Sequence, residues 1–441
     1  MNILMMTNTF TPHVGGVARS VEAFTNEYRR RGHRVIVVAP EFEGAPAEED
    51  DVIRLPALQH FNGSDFSIPV PIPGFLALAL AGFAPDVVHS HHPFLLGDTA
   101  LRISAAERIP VVFTHHTRYE QYTHYVPGDS AAMKHFAVEL AVGYSNLCDS
   151  VVAPSETIRD LLVAEGVESP IEVIPTGVDV EHFARGDGAA FRAAHNVPAD
   201  AFVVGHVGRL APEKNLEFLA RAVAAYLREA PSAWLLIAGT GPSEEAIRQA
   251  CRQAGVEDRL CLVGILQRQE LVDAYHAMDV FAFASQSETQ GMVLTEAMAA
   301  GTPVVAVDAS GVREVVRDGK NGRLLAEENV DSFREALAWL AGLSDDQHRE
   351  LLVHVRETAE QFSMPRCAQR ALDLYARLAA AKPRLEPVAD SLWARAVRSI
   401  EREWAIWSNF AEAAADALFI SGDEPSPSAS DADATPGEST G

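Results

Sequence analysis

Residues 280–303 carry the sequence VFAFASQSETQGMVLTEAMAAGTP, in which an apolar run precedes a polar loop and an Ala-rich segment. The run Val280–Ala284 predicts a buried parallel strand. The segment from Met292 to Ala300, which stops at Gly301-Thr302-Pro303, predicts a helix. A strand, a loop and a helix in this order form the repeating unit of an open parallel sheet, whose ligands bind at the carboxyl ends of the strands.

Two carboxylates lie eight positions apart in this unit. Glu288 falls in the loop, and Glu296 falls within the helix on a face that can look back at the loop. A helix N-terminus favours a phosphate, whereas carboxylates accept hydrogen bonds from hydroxyl groups such as those of a ribose and a hexose. The pair therefore indicates a sugar nucleotide. The alternative is a partly exposed helix residue beside an acid at a helix start.

Composition restricts the class of protein. The 441 residues are enough for two domains of roughly 200 residues each. A net charge of −25, from 61 acids against 36 bases, argues against a general nucleic-acid binder. Four scattered cysteines predict no disulfide framework and fit a reducing cytosol. The N-terminus lacks the features of a signal peptide, and the most apolar stretch, Pro73 to Ala84, is too short to span a bilayer.

Strands and helices alternate through two similar halves. Predicted strands of the first half are Ile3–Thr7, Val35–Ala39, Val87–His89, Val111–Thr114 and Val151–Ala153, with helices such as Val17–Arg31 and Ala132–Asn146 between them. Those of the second half are Val203–Val207, Trp234–Ala238, Leu260–Val263, Val280–Ala284 and Val304–Ala306. The pattern predicts an α/β protein with two doubly wound, Rossmann-like parallel sheets, in a domain over residues 1–182, a linker over 183–199 and a domain over 200–384.

The C-terminal segment has a different pattern. Between residues 385 and 420, Trp393, Val397, Ile400, Trp404 and Trp407 recur at spacings of four and three and form one apolar stripe. The stripe predicts a helix packed back on the body of the protein, and a helix lying in a membrane interface is the alternative. Residues 421–441 contain no bulky apolar residue, which predicts a disordered acidic tail.

A second polar loop joins the first strand of the second half to its first helix. In the sequence HVGRLAPEKN, residues 206–215, Pro212 marks the helix entry and Lys214 falls in the first turn. The helix dipole disfavours a cation there, and an anion bridging Arg209, Lys214 and the backbone amides would remove the conflict. A solvated ion pair is the alternative.

Further polar segments follow other strands. Gly15-Gly16 and Gly239-Thr-Gly241-Pro242 allow close approach of a ligand, or simply make tight turns. The sequence HHTRYEQYTHY, residues 115–125, places histidines, tyrosines and an acid at the end of a strand, which indicates a pocket. The spacing of a zinc site is absent, and His115 and His116 face opposite ways if the strand continues. Either histidine could instead be a packing residue.

Together these motifs resemble those of the retaining GT-B glycosyltransferases of family 4, in the right order over most of residues 1–380. The resemblance implies two domains facing across a cleft, with the last helix crossing back to the first domain. It implies that Arg209 and Lys214 bind the pyrophosphate of a nucleotide sugar, Glu288 the hexose and Glu296 the ribose. The backbone near Ile265 would meet the nucleobase. The implied donor-binding residues are Gly15, Gly16, Arg209, Lys214, Gly239, Ile265, Glu288, Thr289, Gln290, Gly291 and Glu296.

Within that family, the run from His116 to Tyr125 and the run from Ser287 to Gly291 are similar to those of diacylglycerol glucosyltransferases. The similarity implies transfer of a hexosyl group, glucose, to a lipid, with acceptor-side residues Tyr119, Glu120, Tyr122 and Tyr125. Such proteins bind anionic membranes through basic surface, whereas this chain is strongly acidic. Its dense basic cluster, Arg29, Arg30, Arg31 and Arg34, predicts peripheral docking on the inner face of a membrane.

The expected reaction keeps the anomeric configuration and needs no metal or other cofactor, because Arg209, Lys214 and helix amides can stabilise the departing diphosphate. No enzymic nucleophile is evident, so the acceptor attacks from the donor's phosphate side. His116 orients donor or acceptor near the anomeric carbon. A GDP-mannose donor and a soluble sugar or glycoside acceptor are the alternatives within this class. A nucleotide-sugar epimerase and a non-catalytic sugar-nucleotide sensor are the alternatives outside it.

Overall fold

Two parallel sheets account for the apolar runs of the chain. The computed structural model describes residues 1–13, 15–46, 49–59, 67–69, 75–119, 130–286, 288–382 and 392–421. Among these residues, no helix combines the length and the apolar composition needed to cross a bilayer.

The first sheet lies in the N-terminal half. The strands there are β1 (Asn2–Met6), β2 (Arg34–Pro40), β3 (Val52–Leu55), β4 (Ala57–Leu58), β5 (Ile68–Pro69), β6 (Val87–Ser90), β7 (Val111–Thr114), β8 (Ser150–Ala153) and β9 (Ile171–Val173). Seven of them form a parallel sheet in the order β3-β2-β1-β6-β7-β8-β9, and β4 and β5 form a short antiparallel pair. The helices are α1 (Gly16–Arg30), α2 (Phe75–Ala79), α3 (Leu96–Glu107), α4 (Ala131–Asn146) and α5 (Glu156–Ala164).

The second sheet lies in the C-terminal half. Its strands are β10 (Phe202–Val207), β11 (Ala233–Ala238), β12 (Leu260–Gly264), β13 (Val280–Phe283), β14 (Val304–Val307) and β15 (Gly322–Leu325), in the order β12-β11-β10-β13-β14-β15. The helices are α6 (Val180–Phe183), α7 (Gly188–Ala194), α8 (Leu216–Glu229), α9 (Glu244–Ala254), α10 (Arg268–His276), α11 (Met292–Ala299), α12 (Val330–Ala341) and α13 (Asp345–Gln361), followed by α14 (Met364–Ala381) and α15 (Leu392–Ser421). The strand order reverses between β10 and β13, which is where ligands bind in such sheets.

Each sheet is covered on both faces, as the continuous apolar strands require. Successive side chains of a strand point to opposite faces. In β1, Ile3 and Met5 enter one core while Leu4 and Met6 enter the other. The second sheet is likewise buried between two cores. The predicted α/β class with two Rossmann-like domains is confirmed.

The segment predicted as a linker, residues 183–199, is a folded part of the second domain. It contains α7, whose Phe191 is buried in a core of that domain. The guanidinium of Arg192 donates to the carbonyl of Ala277 and to the carboxylate of Asp279. Small residues in this segment therefore permit close helix packing instead of marking a joint.

The chain returns to the first domain earlier than predicted. The Val178 amide donates to the Phe362 carbonyl, and the Met364 amide donates to the Val178 carbonyl, both at 2.8 Å. The following helix, α14, packs against a core of the first domain, where Tyr375 is fully buried. Residues 364–381, predicted to belong to the second domain, thus lie on the first.

Helix α15 also packs on the first domain, against α3 and α4. The prediction of a helix crossing back is confirmed, but the contact uses the side opposite to the apolar stripe. Arg402 donates to the Leu147 carbonyl at the end of α4, and Ile406 is buried. The stripe residues Ile400, Trp404 and Trp407 are 69, 75 and 68% exposed. The tail predicted to be disordered lies, from residue 422 onward, outside the described residues.

Candidate active site

Three loops lie side by side at the carboxyl ends of β10, β11 and β12. The Leu210 amide donates to the Thr240 carbonyl at 2.9 Å, and the Gly239 amide donates to the Gly264 carbonyl at 2.7 Å. A Cβ atom on Gly239 would lie 1.9 Å from the Gly208 carbonyl oxygen, and the φ of Gly239 is +143°. Gly239, predicted to bind the donor, is therefore needed for the loops to approach each other.

Arg209 and Lys214 lie on the first of these loops. Pro212–Lys214 forms a short 3-10 turn, and α8 begins only at Leu216. The prediction that Lys214 sits in the first turn of the main helix is therefore wrong, because Asn215 adopts a left-handed conformation that separates the turn from the helix. Arg209 is half exposed and forms an ion pair with Glu213.

Lys214 and Glu288 form an ion pair at the carboxyl ends of the strands of the second sheet. The Lys214 ammonium donates to the Glu288 carboxylate at 2.5 Å, and the two side chains are only 19% and 17% exposed. The contact joins the loop after β10 to the loop after β13 at the point where the strand order reverses. The residue predicted to bind the diphosphate and the residue predicted to bind the hexose are thus neighbours. This agrees with a sugar nucleotide, in which the hexose is attached directly to the diphosphate.

The Glu296 carboxylate is buried beside the cleft between the domains. It accepts a hydrogen bond from the Tyr275 hydroxyl at 2.8 Å, and Arg19 of α1 in the first domain lies 3.6 Å away. Burial raises the pKa of Glu296, while Arg19 and Tyr275 oppose that rise. The roles of Tyr275 and Arg19 were missed by sequence reasoning, because neither residue belongs to the motif that contains Glu296.

The loop that carries Glu288 also holds the two domains together. The Thr289 hydroxyl donates to the His116 carbonyl at 3.0 Å, and the Ser155 hydroxyl donates to the Thr289 carbonyl at 2.7 Å. The Gln290 side chain makes two 2.7 Å hydrogen bonds with the backbone of Thr176. Thr289 and Gln290, predicted to bind the donor, therefore direct their side chains to the first domain.

The remaining glycines and Ile265 lie at the edges of this region. Gly291 starts α11 in a left-handed conformation with φ of +76°. Gly15 caps α1 and Gly16 opens it, and a Cβ atom on Gly16 would meet nothing within 4 Å. Ile265, 61% exposed, follows the end of β12, where the resemblance placed the nucleobase.

A cluster of histidines lies on the first-domain side of the cleft. We call this cluster, His89, His91, His115 and His116, the histidine wall. His91 Nδ1 and His116 Nε2 are 2.9 Å apart, and burial lowers the pKa of both imidazoles. Within the described part of the chain, His91 Nε2, His115 Nδ1 and the Tyr119 hydroxyl are buried without a hydrogen-bond partner. The predicted acceptor-side residues Glu120, Tyr122 and Tyr125 lie outside the described residues.

His206 is a further polar residue of the second domain to which sequence reasoning assigned no role. Its Nδ1 donates to the Ala282 carbonyl at 3.0 Å, so Nε2 keeps its lone pair, and it has no partner among the described residues. Burial lowers the pKa of His206 to about 4. The sequence does carry a signal for this residue, because a histidine in a predicted buried strand just before Gly208 and Arg209 is a polar residue close to the predicted site. Its free lone pair can accept a hydrogen bond from a ligand.

Comparison with known proteins identifies the family. The family model described as glycosyl transferases group 1 matches residues 187–361, and that described as glycosyltransferase family 4 matches residues 14–182. A GDP-mannose-dependent alpha-mannosyltransferase of Mycobacterium tuberculosis is 31% identical over 74% of this chain and 84% of its own length. The chain belongs to the family 4 glycosyltransferases.

Other glycosyltransferases share the sequence or the fold. An alpha-monoglucosyldiacylglycerol synthase of Streptococcus pneumoniae is 29% identical over 82% of this chain and 83% of its own length. The structure of Anabaena HepE in complex with UDP-glucose superposes with a TM-score of 0.67, at 21% identity, over 86% of this chain and all of that one. The chain is therefore an enzyme of the GT-B fold.

The basic cluster of the glycosyltransferase has internal partners. Arg29 donates to backbone carbonyls of β2 and of the loop before β3, and Arg31 donates to a carbonyl of α14. Arg30 and Arg31 both bind the Glu27 carboxylate, and Arg34 lies over the ring of Phe83. Membrane docking through this cluster stays a prediction.

The histidine wall is not arranged as a metal site. Across the described ranges, no group of three or more His, Cys, Asp or Glu side chains could hold a metal ion. The imidazoles pair with each other and with neighbouring hydroxyls, such as that of Thr114 on His89.

Proposed function

We propose that this glycosyltransferase moves a glucosyl group from a nucleoside diphosphate glucose to the hydroxyl group of a lipid such as diacylglycerol, with retention of the anomeric configuration. The observation that carries the proposal is the path from Lys214 through Glu288 and Thr289 to His116. These contacts connect the residue proposed to bind the diphosphate, the residue proposed to bind the hexose and the histidines proposed to face the acceptor.

The donor end of the reaction depends on charge. The acceptor oxygen forms a bond to C1 of the hexose, the bond from C1 to the diphosphate oxygen breaks, and the acceptor proton passes to the departing diphosphate. Negative charge grows on the diphosphate in this step, so Lys214, Arg209 and the loop amides stabilise the transition state more than the ground state. We infer that no metal ion or other cofactor is needed, because in this proposal Lys214 and Arg209 supply two cations to the leaving group.

The acceptor end favours a neutral hydroxyl group. Burial lowers the pKa of His91 and His116 well below the ordinary range, and that of His115 to about 4, so these imidazoles are uncharged at neutral pH. Neutral imidazoles can exchange hydrogen bonds with an uncharged hydroxyl group such as that of a lipid glycerol. The similarity to alpha-monoglucosyldiacylglycerol synthase supports the same choice.

A panel of donors and acceptors tests the proposal. Radiolabelled UDP-glucose, UDP-galactose, GDP-mannose and UDP-N-acetylglucosamine are each incubated with diacylglycerol in phosphatidylcholine vesicles, with soluble sugars, or with no acceptor. We expect label in the lipid fraction from UDP-glucose, and its loss in Lys214→Ala. Transfer only to soluble sugars would refute the lipid acceptor, and an epimer formed without acceptor would refute transfer itself.

Mannosyl transfer from GDP-mannose is the second candidate. The mannosyltransferase of Mycobacterium tuberculosis supports it with 31% identity. The two candidates share the diphosphate and ribose contacts and differ in the nucleobase and the hexose. The GDP-mannose arm of the same panel separates them.

A further inference from the structure

Helix α15 has two faces with different roles. On its inner face, Asn409 donates to the Leu140 carbonyl of α4 and Arg402 to the Leu147 carbonyl just after α4. Ile406 enters the core of the first domain. On its outer face, Ile400, Trp404 and Trp407 are among the most exposed large apolar side chains of the described residues. We define the outer seam as Val397, Ile400, Trp404, Trp407, Ala411 and Ala414.

The spacing of the outer seam favours a helix as its partner. Its residues follow one another at intervals of three, four, three, four and three positions, which is the seven-residue repeat of two packed helices. A helix that lies on a membrane carries Lys and Arg beside its apolar face. Here the seam is flanked by Glu401 and by Glu403, which forms an ion pair with Arg102 of α3. Within α15, Arg398 and Arg402 bind carbonyls on the inner side.

We propose that the outer seam of α15 pairs with the same seam of a second copy of this chain, antiparallel about a twofold axis. With the axis between Trp404 and Trp407, Trp404 of one copy lies opposite Trp407 of the other. Ile400 then faces Ala411, and Val397 faces Ala414. The bulky half of each seam meets the small half of the other, which is the self-complementarity that a twofold interface needs.

The large side chains of the outer seam supply most of the area that a specific interface needs. An aromatic side chain buries about 150–250 Å² on full burial. Two tryptophans exposed by about 70% and Ile400 therefore bring about 400 Å² per copy. Both copies together reach about 800 Å² before flanking residues are added, close to the roughly 1,000 Å² of a specific interface. Since each copy carries a net charge of −25, added salt should strengthen the pairing.

Sedimentation velocity of the full chain, from about 1 to about 100 μM, tests the pairing. We expect a dimer that strengthens with salt, and a dissociation constant at least about 30-fold weaker in the double variant Trp404→Ser with Trp407→Ser. Leu78→Ser, which removes an equally exposed apolar side chain from α2, is the matched control and should leave the dimer intact. Melting curves of all three proteins report whether the fold is kept.

Two outcomes would overturn the proposal. The wild type is a monomer at every concentration, or the double variant dimerises like the wild type. If a monomeric wild type floats with phosphatidylcholine vesicles and the double variant does not, the seam binds a bilayer instead.

Disulfide trapping tests the direction of pairing. A mixture of Ile400→Cys chains and Ala411→Cys chains should yield the mixed disulfide above the background of the wild-type cysteines. If Ile400→Cys instead crosslinks only to itself, the antiparallel arrangement is refuted.

Discussion

Replacing Glu296 and Glu288 separately by glutamine should have different effects on nucleotide binding. Glu296 is buried and its Oε2 is already held by Tyr275, so it is well placed to accept a hydrogen bond from a ribose hydroxyl. A hydrogen bond to a charged group contributes about 1.5–3 kcal/mol, and about 1.4 kcal/mol corresponds to a factor of ten. Glu296→Gln should therefore weaken the binding of UDP by about 10- to 150-fold.

Glu288→Gln should leave the affinity for UDP unchanged or raise it. The Lys214 ammonium is bound to the Glu288 carboxylate at 2.5 Å. The neutral amide releases Lys214 to the diphosphate, while the hexose loses a charged acceptor. The wild type should bind UDP-glucose more tightly than UDP. The ratio of these two affinities should consequently fall in Glu288→Gln and stay unchanged in Glu296→Gln.

Isothermal titration calorimetry of the two variants with UDP, GDP and UDP-glucose measures these effects. Both substitutions keep the size of the side chain, and the amide oxygen of glutamine can still accept from Tyr275, so melting temperatures should stay close to that of the wild type. The assignment of ribose to Glu296 is refuted if Glu296→Gln binds UDP within about twofold of the wild type. A tenfold loss of UDP affinity in Glu288→Gln would refute the assignment of hexose to Glu288.

Three further outcomes are expected. Arg209→Ala and Lys214→Ala should each lower kcat by about 100-fold or more at an unchanged melting temperature, because the diphosphate charge is greatest in the transition state; a rise in KM alone would indicate ground-state binding. Gly239→Ala should lower the melting temperature markedly, since its Cβ would collide with the Gly208 carbonyl, whereas Gly16→Ala, which meets nothing within 4 Å, should keep the wild-type value. Acid should destabilise the fold, because burial lowers the pKa of His89 to about 3 and of His115 and His206 to about 4. As the pH falls, these histidines therefore take up protons in the unfolded chain before they do so in the folded protein. The free energy of unfolding should be highest above about pH 6.5 and decline below it by up to about 1.4 kcal/mol per pH unit for each histidine. Equal urea midpoints at about pH 7.5 and 5.5 would contradict this.

Local sequence predicted much of the fold. The apolar runs around Ile3–Thr7 and Val280–Ala284 are buried strands, and α11 covers Met292–Ala299, within one residue of its predicted span. Strands such as β9 and β15, which close the edges of the two sheets, were not predicted. Edge strands are short and half covered, so they lack the continuous apolar run of a central strand.

The sequence by itself determined the two series of strand and helix units and the polar residues on the loops that follow the strands. It could do so because hydrophobic periodicity and turn chemistry are local properties. Only the tertiary structure decided that Arg19 meets Glu296, that Thr289 binds the backbone of His116, and that the chain crosses between domains at Val178 and Ser363. It also decided which side of α15 faces the protein. Periodicity indicates that Trp404 and Trp407 share a face. Only the packing of the opposite face, with Ile406 buried and Arg402 bound to the Leu147 carbonyl, shows that this face is turned to the outside.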